Sequence, residues 1–231
     1  MNLVGKTAVV TGVSRGIGLA TVKALLSKGA RVAGWGRTNN DIEDENYLFI
    51  PTDITNLDQV ASAYNQTINK FDQVDILINN AGLGYFKKLE HMTFELWKEM
   101  FDINVHGLFF CTKAVLTNMK DQGSGHIINI SAIAGLEGIP EATGYCGTKH
   151  AVRGISHSLF KEVRKKGIKV TCIYPGSVET RFFDHYDFVT PNESMMQPED
   201  IAKAVIDVLE SRDNVVPLDL ELRPINPVYQ K

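Results

Sequence analysis

Thr7-Ala8-Val9-Val10-Thr11-Gly12-Val13-Ser14-Arg15-Gly16-Ile17-Gly18 decides how the rest of this chain reads. Thr7 to Thr11 is apolar without alternation and stops at Gly12, the pattern of a short, fully buried strand. A helical pattern follows, with Ile17, Ala20, Ala24 and Leu25 on one face. It ends at Lys28-Gly29, glycine being the usual helix stop. Between strand and helix, glycines at 12, 16 and 18 let the chain turn sharply, approach a ligand closely and pack helix on sheet. The helix start then points free N–H groups and a positive dipole end outward, which suits a pyrophosphate. A tight turn alone uses the same glycines, so the surrounding elements carry the choice.

Those elements repeat strand and helix along the chain. Strands are predicted at Arg31 to Trp35, Tyr47 to Ile50, Val74 to Ile78, Gly125 to Ile130, Ile168 to Tyr174 and Val215 to Leu222. Helices are predicted over Asn56 to Lys70, from about Thr93, from about Val105, over Tyr145 to Lys166, and from Pro198, which takes the favoured first helical position. Alternation of this kind means right-handed βαβ units. The expected fold is a Rossmann-type, doubly wound α/β domain with a seven-stranded, mostly parallel sheet and helices on both faces. No linker or repeat divides the 231 residues, so a single domain is expected.

Composition narrows the function classes. A formal charge of -3 offers none of the basic excess of a nucleic-acid or anionic-membrane binder. No apolar run approaches the roughly 18 residues of a membrane helix. Cys111, Cys146 and Cys172 are odd in number and widely spaced, which fits reduced, buried thiols better than a disulfide framework. The start of the sequence lacks a signal-peptide layout, and a cytoplasmic location is expected. The six histidines show no metal-ligand spacing, so no metal is expected.

Five segments, in order, resemble the short-chain dehydrogenase/reductase family over nearly the whole chain: the glycine turn, Asn79-Asn80-Ala81-Gly82, Asn104, Tyr145-Cys146-Gly147-Thr148-Lys149 and Pro175-Gly176-Ser177-Val178-Glu179-Thr180. The resemblance implies a nicotinamide dinucleotide held by Gly12, Ser14, Arg15, Gly16, Ile17, Gly18, Asn80, Ala81, Gly82, Pro175 and Gly176, with Val178 and Thr180 on the carboxamide. Asp53-Ile54 resembles the adenine-contacting pair. At the end of the second strand, where an NAD-preferring member presents an acidic residue, stand Gly36 and Arg37. A guanidinium holds a 2′-phosphate by a forked contact, so Arg37, with Arg15 approaching from the turn, points to NADP(H) rather than NAD(H).

Tyr145 and Lys149 are four apart and share a helix face. A free phenol loses its proton near pH 10, too high for efficient acid/base work, and a nearby ammonium favours the phenolate. The resemblance implies that Tyr145 transfers the proton, that Lys149 lowers its pKa and holds the nicotinamide ribose, and that Asn104 supports a water chain. The family's fourth catalytic residue, a serine thirteen residues before the tyrosine, is here Ala132. Ser131 is one residue off, and neighbouring strand side chains face opposite ways. Three accounts stand: a bulge re-aims Ser131, Thr143 or a water replaces the hydroxyl, or the chain binds NADP(H) with little catalysis.

Arg181 to Gln197, with Phe182, Phe183, Tyr186, Phe188, Met195 and Met196, is expected to form a partly apolar substrate lid. The family commonly pairs the helices beginning near Val105 and Tyr145 with a second subunit, so a homodimer or homotetramer is expected, with Phe109, Phe110 and Phe160 as candidate contacts. The function expected is NADP(H)-linked reduction of a small, partly apolar carbonyl compound, or oxidation of its alcohol. A catalytically weak NADP(H) sensor is the other reading, and an NAD-linked dehydrogenase the enzymatic alternative.

Overall fold

The computed structural model describes residues 1–180, 182 and 194–225. Seven strands form one sheet: β1 (Thr7–Thr11), β2 (Arg31–Gly36), β3 (Tyr47–Pro51), β4 (Ile76–Asn79), β5 (Gly125–Ile130), β6 (Ile168–Pro175) and β7 (Asp219–Leu222). Their order is β3-β2-β1-β4-β5-β6-β7, and each neighbouring pair runs parallel. The helices are α1 (Gly16–Ser27), α2 (Leu57–Phe71), α3 (Phe94–Phe101), α4 (Leu108–Gln122), α5 (Thr143–Val163) and α6 (Pro198–Leu209). This is a Rossmann-like single domain.

Side-chain alternation along β1 divides the core. Val9 joins a cluster with Val60 of α2, Val115 of α4 and Leu159 of α5, whereas Ala8 and Val10 join Leu25 of α1 and Val205 of α6. Each face of the central sheet is therefore buried under helices, which is why β1 and β4 read as continuous apolar runs, whereas the edge strand β7 alternates charged and apolar residues. The chain builds β1, β2 and β3 outward in one direction, then returns to place β4 on the other side of β1. The C-terminal ends of β1 and β4 thus flank the switch point where such sheets bind ligands.

Several boundaries shift from the sequence pattern: β4 begins at Ile76 rather than Val74, and α5 runs from Thr143 to Val163 rather than from Tyr145 to Lys166. The last strand begins at Asp219 rather than Val215. Val215 N donates into a turn at Arg212 O, and Pro217 has no N–H, so the ladder to β6 opens only when Leu218 O accepts from Cys172 N at 2.9 Å. The helices expected from Thr93 and Val105 are also joined end to end. Residues Asp102–Gly107 form a π-helical segment between α3 and α4, and Asn104 lies within it.

Candidate active site

The glycine turn is stapled across the switch point. Thr11 Oγ1 accepts from both Asn80 N and Ala81 N at 3.0 Å, and Asn80 Nδ2 donates to Thr11 O at 2.9 Å and Gly12 O at 3.2 Å. The end of β4 is thereby locked to the end of β1. Gly12 has φ 71°, and a Cβ there would sit 2.8 Å from Ala81 Cα. At Gly18 a Cβ would fall 2.2 Å from Gly12 O, so this approach requires glycine. Helix α1 starts at Gly16 behind an extended Arg15, with no capping side chain and no acidic residue in its first turn. Its positive end is left for an anion.

The other cofactor candidates border this cradle. Ser14 and Arg15 are exposed and Ile17 is half-buried. Thr180 leans over the turn, since a Cβ at Gly16 would lie 3.2 Å from Thr180 Cγ2. Pro175 closes β6, Gly176 N donates to Leu222 O at 2.8 Å, and Val178 is buried in a bridge to Met196. Gly36 abuts the turn, where a Cβ would be 3.6 Å from Val13 Cγ2, and Asn40 Nδ2 donates to Val13 O at 3.1 Å. Those contacts hold the loop carrying the exposed Arg37 beside the turn carrying Arg15. Asp53 Oδ1 accepts from Thr55 N and Thr55 Oγ1, while Ile54 is buried against Gly107. The shape and donors of this cradle fit a dinucleotide: backbone exposed by glycines for the pyrophosphate, and two cations on the rim.

Tyr145 and Lys149 are both buried on α5, with Lys149 Nζ 5.7 Å from the Tyr145 ring centroid. Lys149 Nζ donates to Ile130 O at 3.1 Å. Burial pushes the Tyr145 phenol above its usual range, with the neighbouring Cys146 adding to the effect. It also pushes the Lys149 ammonium from 10.5 down to about 8, against a smaller opposing effect of Cys172. Removal of both groups from water dominates here over the phenolate-favouring effect of an ammonium. The phenol therefore holds its proton near neutral pH.

Asn104 is fixed on every side. Its Oδ1 accepts from Leu83 N at 2.8 Å, and its Nδ2 donates to Leu83 O at 2.7 Å and Thr148 Oγ1 at 2.9 Å. Thr148 Oγ1 in turn donates to Tyr145 O at 2.8 Å. A Cβ at Gly82 would lie 3.4 Å from Asn104 Oδ1 and 3.5 Å from Lys149 Nζ, so both groups border this glycine. Thr148 and Leu83 escaped sequence reasoning. Thr148 sits inside the Tyr-to-Lys spacing, but only the π segment places Asn104 against it.

Ala132 follows the end of β5 in an extended conformation and packs with Tyr145, Met100 and Ala142. Ser131 keeps its register, its N donating to Ile173 O at 2.8 Å, and its buried Oγ donates to Lys149 O at 3.1 Å. No bulge turns it toward Tyr145. Thr143 is exposed at the first position of α5. Of the expected lid, Phe182 lies against Tyr145, with ring centroids 5.6 Å apart, and Met195 is buried. Phe183, Tyr186 and Phe188 lie outside the described residues.

The profile of the short chain dehydrogenases matches residues 6–187. The chain belongs to the short-chain dehydrogenase/reductase family. It is 36% identical over 228 residues to an uncharacterized oxidoreductase of Staphylococcus haemolyticus, covering 96% of this chain and 98% of that one. An uncharacterized oxidoreductase of Staphylococcus saprophyticus is 35% identical over 235 residues, with 97% and 100% covered. Among solved structures, an alcohol dehydrogenase from the archaeon Thermococcus sibiricus, complexed with 5-hydroxy-NADP, superposes with a TM-score of 0.86 at 30% identity. That match covers 97% of this chain and 99% of the archaeal one. ElxO with NADP bound gives 0.86 at 28%, covering 95% and 97%. This short-chain dehydrogenase/reductase is thus an oxidoreductase whose structural neighbours bind nicotinamide cofactors. Among its described residues, no helix is long and apolar enough to cross a membrane.

Proposed function

We propose that this short-chain dehydrogenase/reductase is an NADP(H)-dependent carbonyl reductase, with Tyr145 as proton donor. The observation that carries the reading is that Lys149 Nζ, 5.7 Å from the Tyr145 ring centroid, and Asn104 Oδ1 both border Gly82, next in the chain to the Ala81 that packs on Gly12. When bound, the reduced nicotinamide supplies a hydride. Gly12, Gly16 and Gly18 would admit the pyrophosphate to the start of α1, with Asn80 holding the turn and Thr180 and Val178 bounding the carboxamide side. Burial keeps the proton on Tyr145, ready for the oxygen of a reduced carbonyl. Lys149 then recharges the phenolate, and Asn104 holds the backbone around Leu83 so that water can reach the lysine.

Arg15 and Arg37 favour NADP(H), and no acidic residue stands at the end of β2 to repel a 2′-phosphate. Affinity titrations of wild type and Arg37→Ala with both reduced cofactors test this. The variant is expected to lose about tenfold or more for NADPH and little for NADH, a charge-assisted contact being worth about 1.5–3 kcal/mol. Equal losses, or tighter NADH binding in wild type, would overturn the preference. Consumption of NADPH across a ketone and aldehyde panel supports an enzyme; tight binding with no turnover supports the sensor, the reading that Ala132 keeps open. We further propose that the protein self-associates through α4 and α5, because Phe109 is 51% exposed beside the half-buried Phe110.

A further inference from the structure

The oxygen-binding side of the site has lost a donor and gained an apolar wall. Ala132 has no hydroxyl, and its packing partners are Met100, Ala142 and the Tyr145 ring. Ser131 Oγ is buried and engaged with Lys149 O. Thr143 is exposed and stands two residues before Tyr145 on α5, a spacing at which helical side chains do not face each other. Of these four positions, only Tyr145 offers a hydroxyl to an acceptor.

Aromatic rings pack against the same cluster. The Phe86 and Phe182 ring centroids lie 5.4 and 5.6 Å from that of Tyr145, and 6.3 Å from each other at an interplanar angle of 81°. Gly84 makes room for this convergence, since a Cβ there would be 2.7 Å from Phe182 Cζ and 3.1 Å from Tyr145 Cδ2. Rings so placed favour an aryl group by offset or edge contacts. Losing one positioned donor to a developing oxyanion slows the step about a hundredfold. A substrate whose own substituents withdraw electrons from the carbonyl lowers the same barrier.

Building on the carbonyl reductase reading above, we propose that the acceptor is an aryl carbonyl activated by an electron-withdrawing neighbour, as in a 1,2-dicarbonyl or a nitro-substituted aryl aldehyde. A hydride, carrying both electrons, passes from NADPH to the carbonyl carbon, and the C=O π pair moves onto oxygen. The Tyr145 O–H bond breaks and its proton completes the alcohol. The dinucleotide is oxidised, the carbonyl is reduced, and Lys149 returns a proton to the tyrosinate.

Initial rates of NADPH consumption with 4-nitrobenzaldehyde, 1-phenyl-1,2-propanedione and acetophenone, in wild type and Ala132→Ser, test the proposal. Wild type is expected to turn over the two activated probes and leave acetophenone at least about a hundredfold behind, and the restored hydroxyl to close that gap by about tenfold or more. Calorimetric binding of 4-nitrobenzyl alcohol in the absence of dinucleotide is expected to weaken about fivefold in Phe86→Leu, the size of an aromatic contact. A gap in wild type under about tenfold, a gap unchanged by Ala132→Ser, or unchanged binding in Phe86→Leu overturns the proposal while leaving the reductase intact. Tight NADPH binding with no probe consumed overturns both.

Discussion

In the proposed reduction, Lys149 is the residue whose setting most directly shapes catalysis. It stands on the turn of α5 after Tyr145, and burial brings its ammonium from 10.5 down to about 8. Below that pH it holds the proton that the proposed mechanism returns to Tyr145; above it the charge and the proton are lost. The rate of carbonyl reduction at saturating NADPH is therefore expected to hold level to about pH 8 and decline beyond, and a profile level to pH 10 would contradict this assignment. The Tyr-x-x-x-Lys spacing shows in the sequence that these two side chains share a helix face, and the period-2 alternation of β5 shows that Ser131 faces away from Tyr145. The direction in which the phenol shifts is not legible there. It depends on how deeply the phenol is buried, and among the groups packed on it are Phe86 and Phe182, which lie far from Tyr145 in sequence.

At the scale of elements, the site depends on how β1, β4 and the α3–α4 junction are tied together. Thr11 Oγ1 is the shared acceptor for two backbone donors from the end of β4. Thr11→Val keeps the shape and orphans both N–H groups, which is expected to cost about 2 kcal/mol in urea unfolding and to weaken NADPH binding, since an unpaired donor costs about 1–3 kcal/mol when buried and less at half-buried positions such as Asn80 and Ala81. A variant with unchanged midpoint and affinity would show the staple to be dispensable. The strand-turn-helix and its glycines were readable because each local preference agreed with the parallel sheet. The π segment was not, because apolar spacing on either side of Asn104 fits two ordinary helices. What selects the wider turn is the three-way bonding of the Asn104 amide to Leu83 and Thr148, a tertiary effect. The late start of β7 has a legible signal, Pro217, which outweighs the apolar pattern beginning at Val215.

For the whole molecule, pH and self-association are the testable properties. His126 lies fully buried in β5 with Nε2 2.9 Å from Thr171 Oγ1. Burial, aided by the Lys169 and N-terminal charges, pushes its pKa from 6.5 down to about 3. The folded chain keeps it neutral while the unfolded chain takes up a proton below pH 6.5, so its contribution is complete above 6.5 and is lost as pH falls toward 3. Stability is expected to fall by up to about 1.4 kcal/mol per pH unit through this window, and less steeply in His126→Gln. Parallel urea midpoints for the two proteins between pH 7 and 4 would refute this. On the proposed self-association, wild type is expected to sediment as an oligomer and Phe109→Glu as a monomer; a monomeric wild type, or a variant that stays oligomeric, would contradict it. The central claim, that this fold binds NADP(H) in order to move a hydride with Tyr145 as acid, is tested by measuring NADPH affinity and NADPH consumption side by side in wild type and Tyr145→Phe with 4-nitrobenzaldehyde. We predict closely similar affinities, steady consumption by wild type, and a rate reduced at least about a hundredfold in the variant. Wild type that binds NADPH and consumes none, or a variant that keeps the wild-type rate, would contradict it.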